Sequence, residues 1–309
     1  MTWLAVVTAL LLLHFFPFSG AAKVQAAYRQ LAEAIEANFD AGDAHSGAAA
    51  YVLLAMAVLV PTALLYFLLA TVLPILAWAA NVGALYVSIT FWSHLEPFVA
   101  IRTALQEGDA ETANAALAKW SGDEIVPDSN QIARLGVEAL ISRTHYGLFG
   151  SLFWFCVVPG PLGLVLYQAT YAAQCAWRHD GKKQNPDEQL DFAGLARNMW
   201  EVMDWLPRRM TALTFAVVGN FEDALFCWRD QAEAWINPDE GLVLASAAGA
   251  MGARLGGTVL SPHRSITRPE LGLGENADAS SMASAEGLVW RGLVLWVALL
   301  VLLGIASAL

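Results

Sequence analysis

From Gly47 to Ser93 the chain carries no Asp, Glu, Lys, Arg or His. Wound as one helix at about 1.5 Å per residue, this stretch would reach roughly 70 Å, about twice the hydrocarbon core of a bilayer. It therefore has to fold back. Pro74 lacks an amide donor and disfavours helix at the residue before it, so the bend is expected between Thr71 and Pro74, giving spans over roughly 48–70 and 74–93. Three further apolar stretches meet or approach the length of a span: Thr2–Gly20, Leu148–Ala173 and Leu288–Leu309. A signal peptide is the rival reading of the first, but no Lys or Arg precedes its apolar core, which favours an uncleaved helix. Met210–Phe221 is uncharged but short, so it reads either as a crossing that tilts or as a re-entrant or interfacial helix.

Between these stretches the pattern becomes helical and amphipathic. Val24, Tyr28, Leu31, Ile35 and Phe39 fall on one face over 22–41, with Lys23, Arg29, Glu33 and Glu36 between them. The segment 95–146 predicts two or three helices, the second capped by Asp109 and followed by a break at Ser121–Ser129. Charged residues with Gly and Pro over 178–191 predict a loop, in which Lys182 and Lys183 are solvated or touch lipid headgroups, and a helix is expected to begin near Phe192. Residues 258–287 read as a polar, partly disordered tether into the last span.

The expected fold is all-α, a polytopic transmembrane helix bundle with helical extramembrane segments. Its segments are an N-terminal membrane region over 1–93, a polar helical segment over 94–147, and a span, charged loop and short apolar helix over 148–222. A polar segment with a Gly-rich helix (223–287) and a C-terminal span (288–309) complete the chain.

Composition agrees with a lipid environment: 57% of the 309 residues are hydrophobic and only 15% charged, against about 25% charged in soluble domains, and the mean hydropathy is +0.49. A net charge of −11 argues against a nucleic-acid partner, which would call for a basic face, and none is predicted. Lys and Arg occur in every polar segment, so charge bias does not orient the chain. Cys156, Cys175 and Cys227 are far apart, which indicates neither a disulfide framework nor a zinc site, and no metal ligands are assigned.

Nucleotide-loop, metalloprotease, serine-hydrolase and dinucleotide-binding signatures are absent. Three polar clusters remain. Arg143 and His145, just before an apolar stretch, suit an anionic ligand at a helix entrance or anchoring at the interface. Glu201, Asp204, Arg208 and Arg209 bracket Pro207, and Asp204 with Arg209 is the pair expected to carry function, because ionisable groups at membrane depth mark pathways or sites. Asp239 lies in an Asn-Pro-Asp-Glu-Gly run followed by AAGAMGARLGG, where Ala248, Gly252 and Gly256 sit four apart, as in closely packed helices. Arg254 on that helix suits a carboxylate or phosphate. Oligomerisation stays open.

Several pieces occur in a fixed order: EGDAETANAAL, ARLGVEAL, LFWFCVVPGPLGLVLYQA, MDWLPRRMTAL, AWINPDEGLVLASAAGAMGARLGG and PELG. In this order they resemble the CobD/CbiB family of cobalamin-biosynthesis membrane proteins, in a diverged branch close to the AmpE family linked to β-lactamase induction. The first resemblance implies ATP-dependent amide coupling of a corrinoid carboxylate, that of adenosylcobyric acid, to an aminopropanol-type amine, with ATP and Mg2+ as the cofactors of that reaction. The second implies a non-enzymatic inner-membrane regulator or sensor. Both imply a multi-pass protein of a bacterial-type inner membrane.

Where the family has Glu-Asn and then Ser-Asp-Gly, this chain has Ser142-Arg143 and His145-Tyr146-Gly147. The family's Asn-Thr-Leu-Asp-Ser falls on Thr170 to Gln174, its Asp-Asp pair falls on Trp200-Glu201, and its Ser-Pro-Asn-x-Gly becomes Asn237 to Gly241. Trp205, Pro207, Arg209 and Gly241 keep the family's framework. The synthetase and regulator readings stand side by side, and neighbouring corrinoid genes or β-lactamase regulators would discriminate them. A transporter, the third reading, would use the Pro159-Gly160-Pro161 interruption, but no inverted repeat accompanies it.

Overall fold

The computed structural model describes residues 2–41, 43–122, 125–177, 192–262 and 264–306. The loop expected over 178–191, with Lys182 and Lys183, lies outside them. In chain order the helices are α1 (Thr2–Phe15), α2 (Ala21–Phe39), α3 (Ala44–Val72), α4 (Pro74–Ser88), α5 (Phe91–Gln106), α6 (Ala110–Ser121) and α7 (Ser129–Thr144). A π-helical turn, His145–Phe149, leads into α8 (Gly150–Val157) and α9 (Leu162–Ala176). Then come α10 (Gly194–Val218), α11 (Phe221–Gln231) and α12 (Pro238–Met251), strands β1 (Ala253–Ser261), β2 (Arg264–Leu271) and β3 (Glu275–Asn276), and α13 (Ala279–Ala306).

Local chemistry accounts for many of these boundaries. Asp43, Asp109 and Asp128 cap α3, α6 and α7 by accepting hydrogen bonds from the amides of Ser46, Thr112 and Gln131. The fold-back occurs where expected: Leu73 is extended and Pro74 opens α4. Among the described residues, three helical stretches are long and apolar enough to cross a membrane, namely Ala44–Val72, Pro74–Gln106 (which takes in α4 and α5) and Ala279–Ala306.

Two compact units divide the chain, and each draws on two segments. Unit 1 comprises residues 1–90 and 150–206. Its core gathers Ile35, Tyr51, Leu54, Trp177 and Phe192, where the Trp177 indole donates to the Ala32 carbonyl at 2.9 Å. Gly47 faces Phe192 so closely that a Cβ would lie 2.0 Å from its carbonyl oxygen.

Unit 2 comprises residues 91–149 and 207–309. Its centre is α12, buried at every position from Gly241 to Ala250. A Cβ on Gly249 would lie 2.4 Å from the Asp223 carbonyl oxygen, so α12 packs directly on the backbone of α11. The three strands form one sheet in the order β2-β1-β3, with β1 and β2 antiparallel and a bulge between Gly256 and Gly257.

Several expectations are corrected. The apolar stretch 148–173 is not one continuous helix, because Pro159-Gly160-Pro161 separates α8 from α9. The Gly-rich helix stops at Met251, since Gly252 takes φ 66° and caps it. Gly256 takes φ 76° in a strand and meets the Pro269 carbonyl, so the four-residue spacing of small residues does not form a helix face there. The stretch read as a tether contains most of the hairpin, β3 and the first turns of α13. The helical fold class stands, with a small sheet added.

Candidate functional site

Three polar cross-links within unit 2 close a triangle among α7, α10 and α12. The Ser142 hydroxyl at the end of α7 donates to Glu240 Oε1 at 2.7 Å in the first turn of α12. Arg208 on α10 forms an ion pair with Asp239, the residue before Glu240. His145 Nδ1, at the start of the π-helical turn, lies 2.9 Å from the Thr211 hydroxyl on α10.

Helix geometry brings these six side chains together. Ser142 and His145 are three residues apart, as are Arg208 and Thr211, so each pair shares a helix face. Asn237 accepts from the Asp239 amide and Pro238 occupies the first helical position, which starts α12 with its two carboxylates at the positive end of the helix dipole. The π-turn widens the backbone at His145, a departure from α-geometry that recurs at functional sites.

Burial sharpens the chemistry. Arg208 is 3% exposed and His145 1%, so a charge here is stabilised by partners rather than by water. The Thr211 hydroxyl donates to the Pro207 carbonyl at 3.0 Å and has only one proton, so it accepts from His145. That assigns a proton to His145 Nδ1, with the Thr211 hydroxyl as its acceptor.

A second polar network supports the site from below. Glu138, one turn before Ser142, is held by Arg268 through two contacts of 2.8 and 3.0 Å and accepts from the Gly256 amide at 2.8 Å. Burial pushes its carboxyl up, against the opposing pull of Arg268 and the Gly256 amide. Gln131 exchanges two hydrogen bonds with the Leu260 backbone, which docks β1 onto α7.

Of the residues expected from the sequence, His145 and Asp239 lie in this triangle. Arg143 stacks on Trp120, 4.5 Å from the ring centroid, and donates to its carbonyl at 3.1 Å; the Trp120 indole donates to His94 Nδ1. Asp204 is buried in unit 1, where the Tyr167 hydroxyl donates to it at 2.8 Å and Trp200 packs against the same tyrosine. Glu201 is exposed. Arg209 is partly buried and lies in unit 2, where its neighbour Arg208 pairs with Asp239. Arg254 is on β1, not on a helix, and it is 42% exposed, paired with Glu270 at 3.5 Å and with the Gly274 carbonyl.

Sequence reasoning passed over Glu138, Thr211 and the pairing of Ser142 with Glu240. The signal for Glu138 and Ser142 was present in α7, where Gln131, Glu138 and Ser142 recur at helical spacing, continued by His145 in the π-helical turn, on a face that is otherwise apolar.

Among the described residues, no group of three or more His, Cys, Asp or Glu side chains could hold a metal ion. A magnesium ion that keeps its waters and binds phosphate needs only one or two carboxylates; the triangle presents two, Asp239 and Glu240, each with one oxygen engaged, by Arg208 and by the Ser142 hydroxyl.

Comparison with known proteins gives one family: the sequence pattern described as CobD/Cbib protein matches residues 14–289. Among similar proteins, the cobalamin biosynthesis protein CobD of Stutzerimonas stutzeri is 33% identical over 303 residues, 97% of each chain. The protein of the same name from Chromobacterium violaceum is 34% identical over 255 residues, 82% of this chain and 78% of that one. Its counterpart in Rhodobacter capsulatus is 28% identical over 218 residues, 67% and 66%. No solved structure is a significant match.

Proposed function

The chain belongs to the CobD/CbiB family, with a role in cobalamin biosynthesis, and from that premise we propose that it joins the carboxylate of adenosylcobyric acid to an aminopropanol-type amine. The observation that carries this reading is the polar triangle of Ser142–Glu240, Arg208–Asp239 and His145–Thr211.

Amide formation from a free carboxylate is uphill in water, and ATP with Mg2+, when bound, supplies the activation. Asp239 and Glu240 would hold the metal, and Arg208 beside them offers a fixed guanidinium to a carboxylate or phosphate. His145, whose Nδ1 is held by Thr211, is the imidazole of the triangle that would take a proton from the amine. The π-turn and the Thr211 hydroxyl fix the orientation of that ring.

One feature of the triangle bears on the acids that this chain lacks. The resemblance puts Ser142 at a family Glu and Asp239 at a family Asn. Here Ser142 on α7 faces Glu240 on α12 at 2.7 Å, so a carboxylate reaches the same junction from the opposite helix. The same reading makes the chain a multi-pass protein of a bacterial-type inner membrane, with the bilayer as its partner.

The test is separate binding of adenosylcobyric acid and of ATP with Mg2+ to purified protein, with Asp239→Asn, Glu240→Gln and Arg254→Ala alongside. Saturable binding of both, weakened in the first two variants and intact in the third, is the expected result. Folded protein that binds neither ligand contradicts the reading and leaves the AmpE-like regulator in its place.

A further inference from the structure

Within unit 2, α10 has its polarity reversed. Arg208, Thr211 and Thr214 point inward and are at most 5% exposed, whereas Met210, Leu213, Val217 and the following Phe221 point outward and are 37–54% exposed. A helix on a water-facing surface shows the opposite arrangement. Met210, Leu213 and Val217 recur every three or four positions and form one apolar stripe on α10, which Phe221 extends at the start of α11.

What covers that stripe follows from the neighbour of α10. The Trp296 indole on α13 donates to the Thr214 hydroxyl at 2.8 Å, and a Cβ on Gly292 would lie 3.0 Å from the Thr214 methyl group. Trp296 lies within Gly292–Ala306, which has no charged residue and belongs to a helix long and apolar enough to cross a membrane. The polar atoms at this contact are satisfied without water: Thr214 accepts from Trp296 and donates to the Met210 carbonyl at 2.7 Å. That is the arrangement hydrocarbon surroundings demand.

We propose that the stripe Met210, Leu213, Val217 and Phe221 lies against the acyl chains of the bilayer, so that α10 separates the polar triangle from lipid. One helix diameter, about 10 Å, then divides Arg208 and Thr211 from the hydrocarbon. The buried site lies at the membrane, and a charged substrate reaches it on the side of α10 turned away from lipid. The inference rests on the reading of α13 as a membrane span, which the test examines at the same time.

The unmodified chain is reconstituted in phosphatidylcholine–phosphatidylglycerol liposomes doped with a phosphatidylcholine bearing a diazirine on its acyl chain. After illumination, adducts are mapped by peptide mass spectrometry. Adducts are expected on 210–221 and on Val294–Ile305 of α13, and lost from both when the reagent lipid is omitted, with α6 unlabelled throughout. Adducts on α13 with none on 210–221 overturn the proposal and point to protein, such as a second copy, on the stripe. Adducts on neither segment defeat the membrane reading of α13, and the proposal falls with it.

Discussion

His145 Nδ1 lies 2.9 Å from the Thr211 hydroxyl, which itself donates to the Pro207 carbonyl, so one buried contact assigns a proton to that nitrogen. Replacing Thr211 by Val keeps the shape and removes the acceptor. The imidazole N–H is then buried without that partner, at a cost of about 1–3 kcal/mol. Thermal unfolding in detergent should show this loss for Thr211→Val and little for Thr211→Ser. A Val variant as stable as the parent would contradict the assigned contact.

The Glu138–Arg268 pair ties α7 to the hairpin. Breaking a buried pair from one side leaves an uncompensated charge and costs about 3–5 kcal/mol. Arg268→Met alone is expected to unfold at a markedly lower temperature, and adding Glu138→Gln should recover much of the loss. Strictly additive effects in this double-mutant cycle would show that the two side chains act independently.

Gly249 touches the α11 backbone, so Gly249→Ala overpacks the centre of unit 2 and should cost about 1–3 kcal/mol. At Gly83 in α4 a Cβ meets nothing within 4 Å, and alanine there should be neutral or stabilising. Equal melting temperatures for the two variants would contradict this packing.

Asp278 lies just before α13 and accepts from the Ser280 hydroxyl and from the Ser281 amide and hydroxyl, which holds its carboxyl below the ordinary range. A lowered value means that the folded state holds the proton less tightly than the unfolded one. The stabilisation is therefore complete above about pH 4 and is lost as pH falls through the lowered value. The side chain is largely solvated, so the effect is small. It should appear as a difference in thermal midpoint between the parent and Asp278→Asn that shrinks on acidification; a difference that grows would contradict the assignment.

Features set by neighbouring residues were legible in the sequence. The bend before Pro74, the Asp109 cap and the amphipathic face of α2 each depend on a few adjacent positions. Arg254 was misplaced because AAGAMGARLGG has the spacing of a packed helix, whereas Gly252 and Gly256 adopt positive φ and turn the chain into a strand. The fate of Pro159-Gly160-Pro161 was partly legible, since the interruption was visible but its division of the stretch into two helices was not. For the site, Asp239, Arg208 and Glu240 were each visible as polar residues. Their partners were not, because Ser142–Glu240 and His145–Thr211 join positions 98 and 66 residues apart, and local spacing carries no record of such contacts.

Amide formation at the polar triangle can be read from the mass of the product. Purified protein in lipid nanodiscs, supplied with adenosylcobyric acid, 1-amino-2-propanol, ATP and Mg2+, should yield the corrinoid amide in an ATP-dependent reaction that Glu240→Gln reduces and Arg254→Ala leaves unchanged. Folded, lipid-embedded protein that forms no amide under these conditions, or a Glu240→Gln variant as active as the parent, would contradict the account.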